Sequence, residues 1–256
     1  MREVEGFIIS EIPYKDTSKI INVFTKEGII GLVAKGAKSL KSNLRINTTK
    51  FTYGKFIIKG TSDKLNTLIE VSVIDELKNI KSDLLIISYL SYIVDLTYQV
   101  IKQTYELESL YNLFISTILK LNEKLNPKVI CNIYELKVLD YLGVGINFNS
   151  CAKCGSKSNI VTINGDIGGY LCNNCYSNEI IYDAKTIKMF RMYYLIDINS
   201  ISDLKISNDV INNIDYFINT YYDRYTGLYL KSKKFLKDID KLYLWKWLNY
   251  IENIKS

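Results

Sequence analysis

The chain has 256 residues, of which 48% are hydrophobic, and its 33 Lys and Arg against 27 Asp and Glu give a net charge of +6. This length allows one large or two modest domains, and the apolar content excludes a chain without hydrophobic cores. His is absent, which excludes a catalytic zinc site of the usual His-containing kind.

The start of the chain carries charges rather than an apolar run. Residues 1–5 include one Arg and two Glu where a secretory signal would be hydrophobic. The longest apolar run, residues 84–94, is too short to span a bilayer and is followed by Asp95. We therefore expect a cytoplasmic protein with reduced thiols and no membrane partner.

Residues 1 to about 76 have the composition and spacing of β-strands, separated by turn-forming residues at 13–16, 26–28 and 60–63. A tight three-stranded meander followed by two more strands after a long connection predicts a five-stranded barrel of the OB-fold type. A small SH3-like barrel is the alternative. The predicted strands are 4–12, 18–25, 29–35, 52–59 and 65–74.

The charges in one long stretch of this predicted barrel are all positive. Between Glu27 and Asp63 the sequence has no acidic residue but many cations, with Phe51, Tyr53 and Phe56 among them. Cations beside aromatic faces are typical of surfaces that bind single-stranded nucleic acid. The alternative is that the lysines lie on the solvent-exposed face of the strands and the aromatic rings belong to the barrel core. For the run as a whole we favour nucleic-acid binding, because like charge without interspersed acids costs stability. The candidate DNA-binding residues are Lys35, Lys38, Lys41, Arg45, Lys50 and Lys55.

From residue 83 onwards the hydrophobic period is helical, and the helices should form one bundle. Asp83 and Asp183 are predicted to cap helix starts, Pro127 suits a first turn, and Gly143 and Gly227 suit helix ends. The predicted helices are 84–101, 106–125, 128–142, 184–196, 208–222 and 238–254.

Four of the five cysteines form two Cys-x-x-Cys pairs that are seventeen residues apart: Cys151 with Cys154, and Cys172 with Cys175. This spacing is typical of a ribbon in which four thiolates bind one tetrahedral zinc. A redox pair would not need the second pair, and a disulfide framework belongs to short secreted chains. Since four Cys fill the coordination shell, we predict one structural zinc per chain. Cys131 is expected to be a small buried hydrophobe and not a fifth ligand.

The residues between the two pairs predict a small hairpin. Residues 160–163 alternate towards Asn164-Gly165, a type I′ turn signal, and Gly168-Gly169 lead into the second pair. Gly155 suits a turn whose N–H groups point at sulfur. The predicted fold class is thus α+β: an OB-fold nucleic-acid-binding domain at 1–80 and a helical domain at 81–256, interrupted by a four-cysteine zinc ribbon at about 149–178.

A late basic cluster at 230–237 is most simply a solvated helix face. Its lysines stand beside Leu and Phe, so an acidic peptide with an apolar end would also fit. The candidate residues for such a partner are Arg224, Lys231, Lys233 and Lys234.

Motifs along nearly the whole chain resemble the RecO family of bacterial recombination mediators. The family's two Arg after Ala-Lys-Gly-Ala are Lys38-Ser39 here, with Lys41 and Arg45 close by. The matching motifs are GFII at 6–9, YKDTSKI at 14–20, FT at 24–25, AKGAK at 34–38, YELKVL at 134–139 with LG at 142–143, CAKCG at 151–155, GGYLC at 168–172 and LKSKKFL at 230–236.

The resemblance implies an OB domain joined to a helical domain with a zinc ribbon, in a cytoplasmic, nucleoid-associated protein that is not an enzyme. It implies binding of single- and double-stranded DNA and annealing of complementary strands. Together with RecR, such a protein helps RecA replace single-strand-binding protein during repair, and its helical domain binds the acidic tail of that protein.

Two other classes of function compete with this interpretation. A zinc enzyme acting on nucleic acid, such as a deaminase, needs a His-x-Glu ligand and acid pair that a chain without His cannot supply in its usual form. A zinc-ribbon module that binds RNA or acts in translation is the other alternative, and the long helical region argues against it.

Overall fold

The computed structural model describes residues 1–60 and 65–255, with side chains up to Tyr243. The chain forms two compact units. The first contains Met1–Ser82 and Tyr105–Ile115, and the second contains Asp83–Thr104 and the chain from Ser116. Residues 61–63 of the predicted turn at 60–63 lie outside the described residues, and the division into domains 1–80 and 81–256 stays a prediction.

The first unit is built on a closed five-stranded barrel with strand order β1-β2-β3-β5-β4. β4 pairs antiparallel with β1 and closes the barrel, while β3 and β5 pair in parallel through Leu32 and Asn66. This is the OB-fold topology, so the predicted barrel is confirmed. The strands are β1 Arg2–Tyr14, β2 Ser18–Thr25, β3 Gly28–Ala34, β4 Tyr53–Lys59 and β5 Asn66–Asp75, and the short helices are α1 Leu44–Asn47 and α2 Lys78–Lys81.

Alternation along the strands sends one set of side chains into the barrel. Ile8, Ile21, Leu32 and Phe56 are among the fully buried members of its core. Closure of the barrel needs small residues where β1 pairs with β4, and Gly6 is paired with Gly54 there. A Cβ on Gly54 would lie 2.6 Å from the backbone oxygen of Ser72, so the sheet could not curve this tightly with a side chain there.

A second cluster of rings in the same unit involves residues 105–115. Phe7 and Phe24 from the barrel meet Phe114 edge to face, with ring centroids 5.2 Å and 5.4 Å apart. Tyr111 lies on Phe24 and donates a hydrogen bond to Glu5 over 3.2 Å. This part of the chain was predicted only as helix, and its rings cover apolar barrel side chains.

The second unit is helical, as predicted, and its termini follow the capping residues. Asp83 accepts hydrogen bonds from the N–H groups of Leu85 and Ile86, Asp183 caps another helix in the same way, and Gly143 has a left-handed φ of 71°. The last helix begins seven residues before the predicted start. The helices are α3 Leu84–Ile101, α4 Leu107–Asn122, α5 Pro127–Tyr141, α6 Ala184–Leu195, α7 Asn208–Tyr225 and α8 Lys231–Lys255.

Among the described residues, α3 is the one helix that is long and apolar enough to cross a membrane, by length and composition only. This helix is longer than the apolar run at residues 84–94, and 56% of it is buried. Its contacts with α5 and α8 give its apolar side chains a protein environment.

The ribbon is a three-stranded sheet of β6 Asn147–Cys151, β7 Ile160–Asn164 and β8 Gly169–Cys172, in the order β6-β8-β7. The predicted two-residue turn at Asn164-Gly165 is wrong. Asn164 pairs with Gly169 as the last residue of β7, and the turn has four residues, 165–168. The Asn164 side chain accepts a hydrogen bond from the N–H of Ile167 at 3.1 Å, which supports this longer turn.

Candidate metal centre and nucleic-acid interface

The structure brings Cys151, Cys154, Cys172 and Cys175 together, with their sulfur atoms all within 4.8 Å of one another. The Sγ atoms of Cys154 and Cys172 are 3.7 Å apart. Four sulfurs at about 2.3 Å from a tetrahedral zinc would be separated by about 3.8 Å. The cluster therefore has the donor atoms and the size of a four-thiolate metal site, and these four cysteines could bind a metal ion.

Local backbone geometry holds each pair in a tight knuckle. At the first pair, the N–H of Gly155 donates to the carbonyl of Cys151 over 2.8 Å, and Gly155 has a φ of 74° that favours glycine. At the second pair, the N–H groups of Cys175 and Tyr176 donate to the carbonyl of Cys172 at 2.9 Å and 3.1 Å. The two Cys-x-x-Cys sequences thus fold into turns that present both sulfurs on one side.

The thiols are electrostatically prepared for a cation. Burial works to raise the pKa of Cys151, but backbone N–H groups of Cys172, Cys154 and Lys153 outweigh it and lower the pKa to about 6. Hydrogen bonds that the Cys175 thiol donates to Cys154 and Cys172 raise the pKa of Cys175 to about 12, because neighbouring sulfurs cannot all ionise without a positive charge among them. A divalent cation would replace those protons.

Cys131 lies outside this cluster. It is buried on α5, and its sulfur is 3.9 Å from a carboxylate oxygen of Glu135. Burial raises its pKa well above the ordinary value, so it stays a neutral thiol. The prediction that Cys131 is a buried small side chain is confirmed.

All six candidate DNA-binding cations of the barrel are exposed. Lys35, Lys38, Lys41 and Arg45 lie along the connection between β3 and β4, residues 35–45, which we call the basic connection. Hydrogen bonds between successive turns order it: Ser39 N–H donates to Gly36 and Ser42 N–H donates to Ser39. Lys35, Lys41 and Arg45 form no ion pair with any residue that the structure describes.

The remaining two cations, Lys50 and Lys55, have closer acidic neighbours than the sequence indicates. Strand β1 lies beside β4 and brings Glu3 to within 3.3 Å of the Lys55 ammonium. Glu11 accepts a hydrogen bond from the backbone N–H of Lys50 and pairs with Lys19 at 2.6 Å. Residues 28–62 contain no acidic residue along the chain, but the fold brings β1 carboxylates next to Lys50 and Lys55.

The aromatic residues of the run are buried. Phe51, Tyr53 and Phe56 have their rings inside the first unit, and the Tyr53 hydroxyl donates to Glu5 over 2.7 Å. They present no open face on which a base could stack. For these three residues the core interpretation is confirmed.

Sequence reasoning missed Lys15 as a neighbour of the basic connection. Lys15 lies in the turn between β1 and β2, and its carbonyl is 3.5 Å from the Lys38 ammonium. The N–H of Lys38 donates to Thr17 of the same turn over 2.8 Å. The only signal in the sequence was that turn itself, because the approach of the two loops depends on the meander.

The late basic residues differ in their availability. Lys231 and Lys234 are exposed, whereas Arg224 is paired with Asp166 at 2.8 Å. Lys233 is 2.6 Å from Glu135, and its side chain is only 15% exposed. Lys233 is therefore engaged inside the helical unit, unlike the exposed Lys231 and Lys234.

The chain matches two family profiles. The first is described as Recombination protein O N terminal and covers residues 1–77, and the second is described as Recombination protein O C terminal and covers residues 81–234. Together they span the barrel, the ribbon and most of the helices.

Similar proteins match the chain over nearly its whole length. The chain is 31% identical to the DNA repair protein RecO of Listeria monocytogenes serotype 4b over 245 residues, which is 94% of this chain and 96% of that protein. It is also 31% identical to the DNA repair protein RecO of Bacillus cereus strain AH187 over 244 residues, or 98% of that protein.

Proposed function

Because this chain belongs to the RecO family of DNA repair proteins, we propose that it is a non-enzymatic mediator of recombination that holds DNA strands and anneals them. In this proposal it binds single- and double-stranded DNA. With RecR, it assists the loading of RecA onto DNA coated with single-strand-binding protein.

The observation that carries the proposal is a set of exposed cations beside buried rings. Lys35, Lys38, Lys41 and Arg45 are open to solvent, while Phe51 and its aromatic neighbours are inside the barrel unit. Such a surface attracts phosphates through charge and does not trap bases by stacking. A strand held by its backbone leaves its bases free to pair with a complement, which is what annealing requires.

The proposed role of the metal is structural. The four cysteines suit one zinc, and four thiolates would complete its shell, so no position would remain for a water molecule. Zinc would join the two knuckles of the ribbon, and the ribbon sheet contacts α6 through β6 and β7. The metal would thus stabilise this part of the helical unit.

For the partner tail, the exposed residues Lys231 and Lys234 supply positive charge next to the half-exposed ring of Phe235. This combination suits the acidic, apolar-ended tail of single-strand-binding protein. Lys233 would contribute indirectly by holding α8 against Glu135.

The salt dependence of DNA binding tests the proposal. Each single-strand phosphate contact contributes about 0.7 to the slope of log affinity against log salt. We expect the triple variant Lys38→Ala, Lys41→Ala, Arg45→Ala to bind oligo-dT more weakly, to lose annealing, and to have a slope smaller by about two. Its melting temperature should be unchanged, because exposed charges contribute little to stability.

A matched control removes three cations that already have acidic partners: Arg2→Ala, Lys26→Ala and Lys78→Ala. This variant has the same net charge as the test variant and should retain most of the wild-type affinity and slope. Equal affinities and slopes for the test variant and the wild type would refute a DNA contact at the basic connection.

A further inference from the structure

The ribbon and α6 together form a second basic surface, which belongs to the helical unit. A cleft of about 340 Å³ is lined by Lys157 from the loop after the first knuckle and by Lys188 and Arg191 from α6. The last two are three residues apart, so they lie on one face of the helix. We call Lys157, Lys188 and Arg191 the basic cleft.

No ion pair with a described residue neutralises the charge of this cleft. All three cations are exposed, and none forms an ion pair with a residue in the described part of the chain. The other residues that line it are neutral: Phe148, Asn149, Ile160, Tyr170 and Ile187. Three like charges around one concave surface repel one another, and an anionic ligand would remove that cost.

A second cleft at the ribbon is lined by acidic as well as basic side chains. At the turn between β7 and β8, a cleft of about 360 Å³ contains Asp166 and Glu179 as well as Arg224. There Asp166 pairs with Arg224 at 2.8 Å, and Glu179 accepts from Asn164 at 2.6 Å. The charged residues that line that cleft are two carboxylates and one cation, whereas those that line the basic cleft are three cations.

The floor of the basic cleft argues for contact with a nucleic-acid backbone. Its rings, Phe148 and Tyr170, are only 2% and 3% exposed, and the Tyr170 hydroxyl donates to the carbonyl of Ile187. A base could not stack on either ring. Cations on the rim with a closed floor suit phosphates at any sequence.

We infer that the basic cleft binds the sugar-phosphate backbone of a second DNA strand while the basic connection holds the first. The inference rests on the proposed function and extends it, because a protein that holds both strands raises the local concentration of one strand near its complement. Both surfaces would hold phosphates and leave bases unstacked. The two strands could then test their pairing while bound.

A second-strand capture experiment with the full-length, metal-loaded protein tests this inference. Protein is bound sparsely to oligo-dT on beads, and capture of a fluorescent oligo-dT is measured, so that the two strands cannot pair with each other. The test variant is Lys157→Gln, Lys188→Gln, Arg191→Gln. The control variant Lys124→Gln, Lys205→Gln, Lys241→Gln removes three exposed cations of the same unit from outside the cleft.

We expect the wild type and the control variant to capture the second strand, and the test variant to bind the first strand but capture little of the second. Three phosphate contacts at about 0.7 each predict that second-strand affinity of the wild type falls about twentyfold between 50 and 200 mM salt. The residual capture by the test variant should change far less over that range. Equal melting temperatures of test and control variants would exclude misfolding as the cause.

Each other outcome has a distinct meaning. If the test variant captures the second strand as well as the control does, the basic cleft does not bind DNA and the inference is wrong, while the proposed function stands. If it loses binding of an Asp-rich peptide but keeps second-strand capture, the cleft is a site for acidic peptides and the inference is equally overturned. If the wild type binds no oligo-dT at all, the proposed function itself fails.

Discussion

At the scale of single residues, Lys233 is a largely buried charge with several close partners. Its ammonium is 2.6 Å from Glu135 and 3.2 Å from the Tyr92 hydroxyl, and it lies 5.0 Å from the ring centres of Tyr92 and Tyr222. Desolvation works to lower the pKa of Lys233, but the charge and hydrogen bond of Glu135 outweigh it, so the pKa is raised. Lys233 is therefore charged at neutral pH and holds α8 against α5.

Removing this cation should be far more damaging than removing its neighbour. Lys233→Ala leaves the Glu135 carboxylate buried without its partner, and we expect the free energy of unfolding to fall by about 3–5 kcal/mol. Lys234→Ala, one residue later and exposed, should change it by less than about 0.5 kcal/mol. Urea unfolding measures both values, and similar losses for the two variants would contradict the structural role of Lys233.

At the scale of elements, the ribbon has very little hydrophobic core of its own. Its buried centre consists of Cys151, Leu171 and Cys172, with a few half-buried neighbours. So small a cluster cannot offset the conformational entropy of ordering three strands and two knuckles. We therefore expect the stability of this element to depend on metal binding by the four cysteines.

Metal removal should act on this element specifically. Cys172→Ala is expected to lose bound zinc and to lower the melting temperature by at least about 5 °C, because metal binding at such sites supplies folding free energy. Chelator treatment should lower the melting temperature of the wild type to that of the Cys172→Ala variant. Metal analysis and thermal unfolding measure the two effects.

The control for this prediction is the fifth cysteine. Cys131→Ala removes a buried thiol that is not in the cluster, so it should cost about 1 kcal/mol or more and leave one zinc per chain. Wild-type protein without zinc, or a Cys172→Ala protein that melts like the wild type, would disprove the structural metal.

At the scale of the whole molecule, the buried tyrosines make the protein sensitive to alkaline pH. Burial raises the pKa of Tyr92, Tyr134 and Tyr222 above the ordinary value of 10.0. In the unfolded chain these phenols would lose their protons near pH 10, whereas in the native state they keep them. The unfolded state then binds fewer protons, so the free energy of unfolding must fall as the pH rises above about 10.

The expected slope is about 1.4 kcal/mol per pH unit for each such tyrosine. The raised pKa of Lys233 acts in the same direction, since its contribution is complete below about 10.5 and is lost as the pH rises further. Denaturant unfolding between about pH 8 and about pH 11 gives the slope of the free energy of unfolding against pH. Tyrosinate absorbance should show that the buried tyrosines ionise only when the protein unfolds. Tyr134→Phe should reduce the slope by the contribution of one tyrosine, about 1.4 kcal/mol per pH unit. An unchanged slope would contradict the contribution of Tyr134.

Local features of this protein were determined by the sequence itself. Alternation predicted five strands, the 3.6-residue period predicted the long helices, and Asp83 and Asp183 cap the helices that they were expected to cap. The cysteine spacing predicted the cluster, because two short knuckles need only local geometry and one hairpin to meet. In each case the information lies within a few residues or in one repeated period.

Only the tertiary structure decided which charges are free and which rings are available. The pairing of β1 with β4 brought Glu3 to Lys55, and the contact of α8 with the core brought Lys233 to Glu135, 98 residues away along the chain. Lys157 joined Lys188 and Arg191 because the ribbon packs on α6. The physical reason is that electrostatics and burial depend on distance in space, which a single sequence specifies only through the complete packing of its elements.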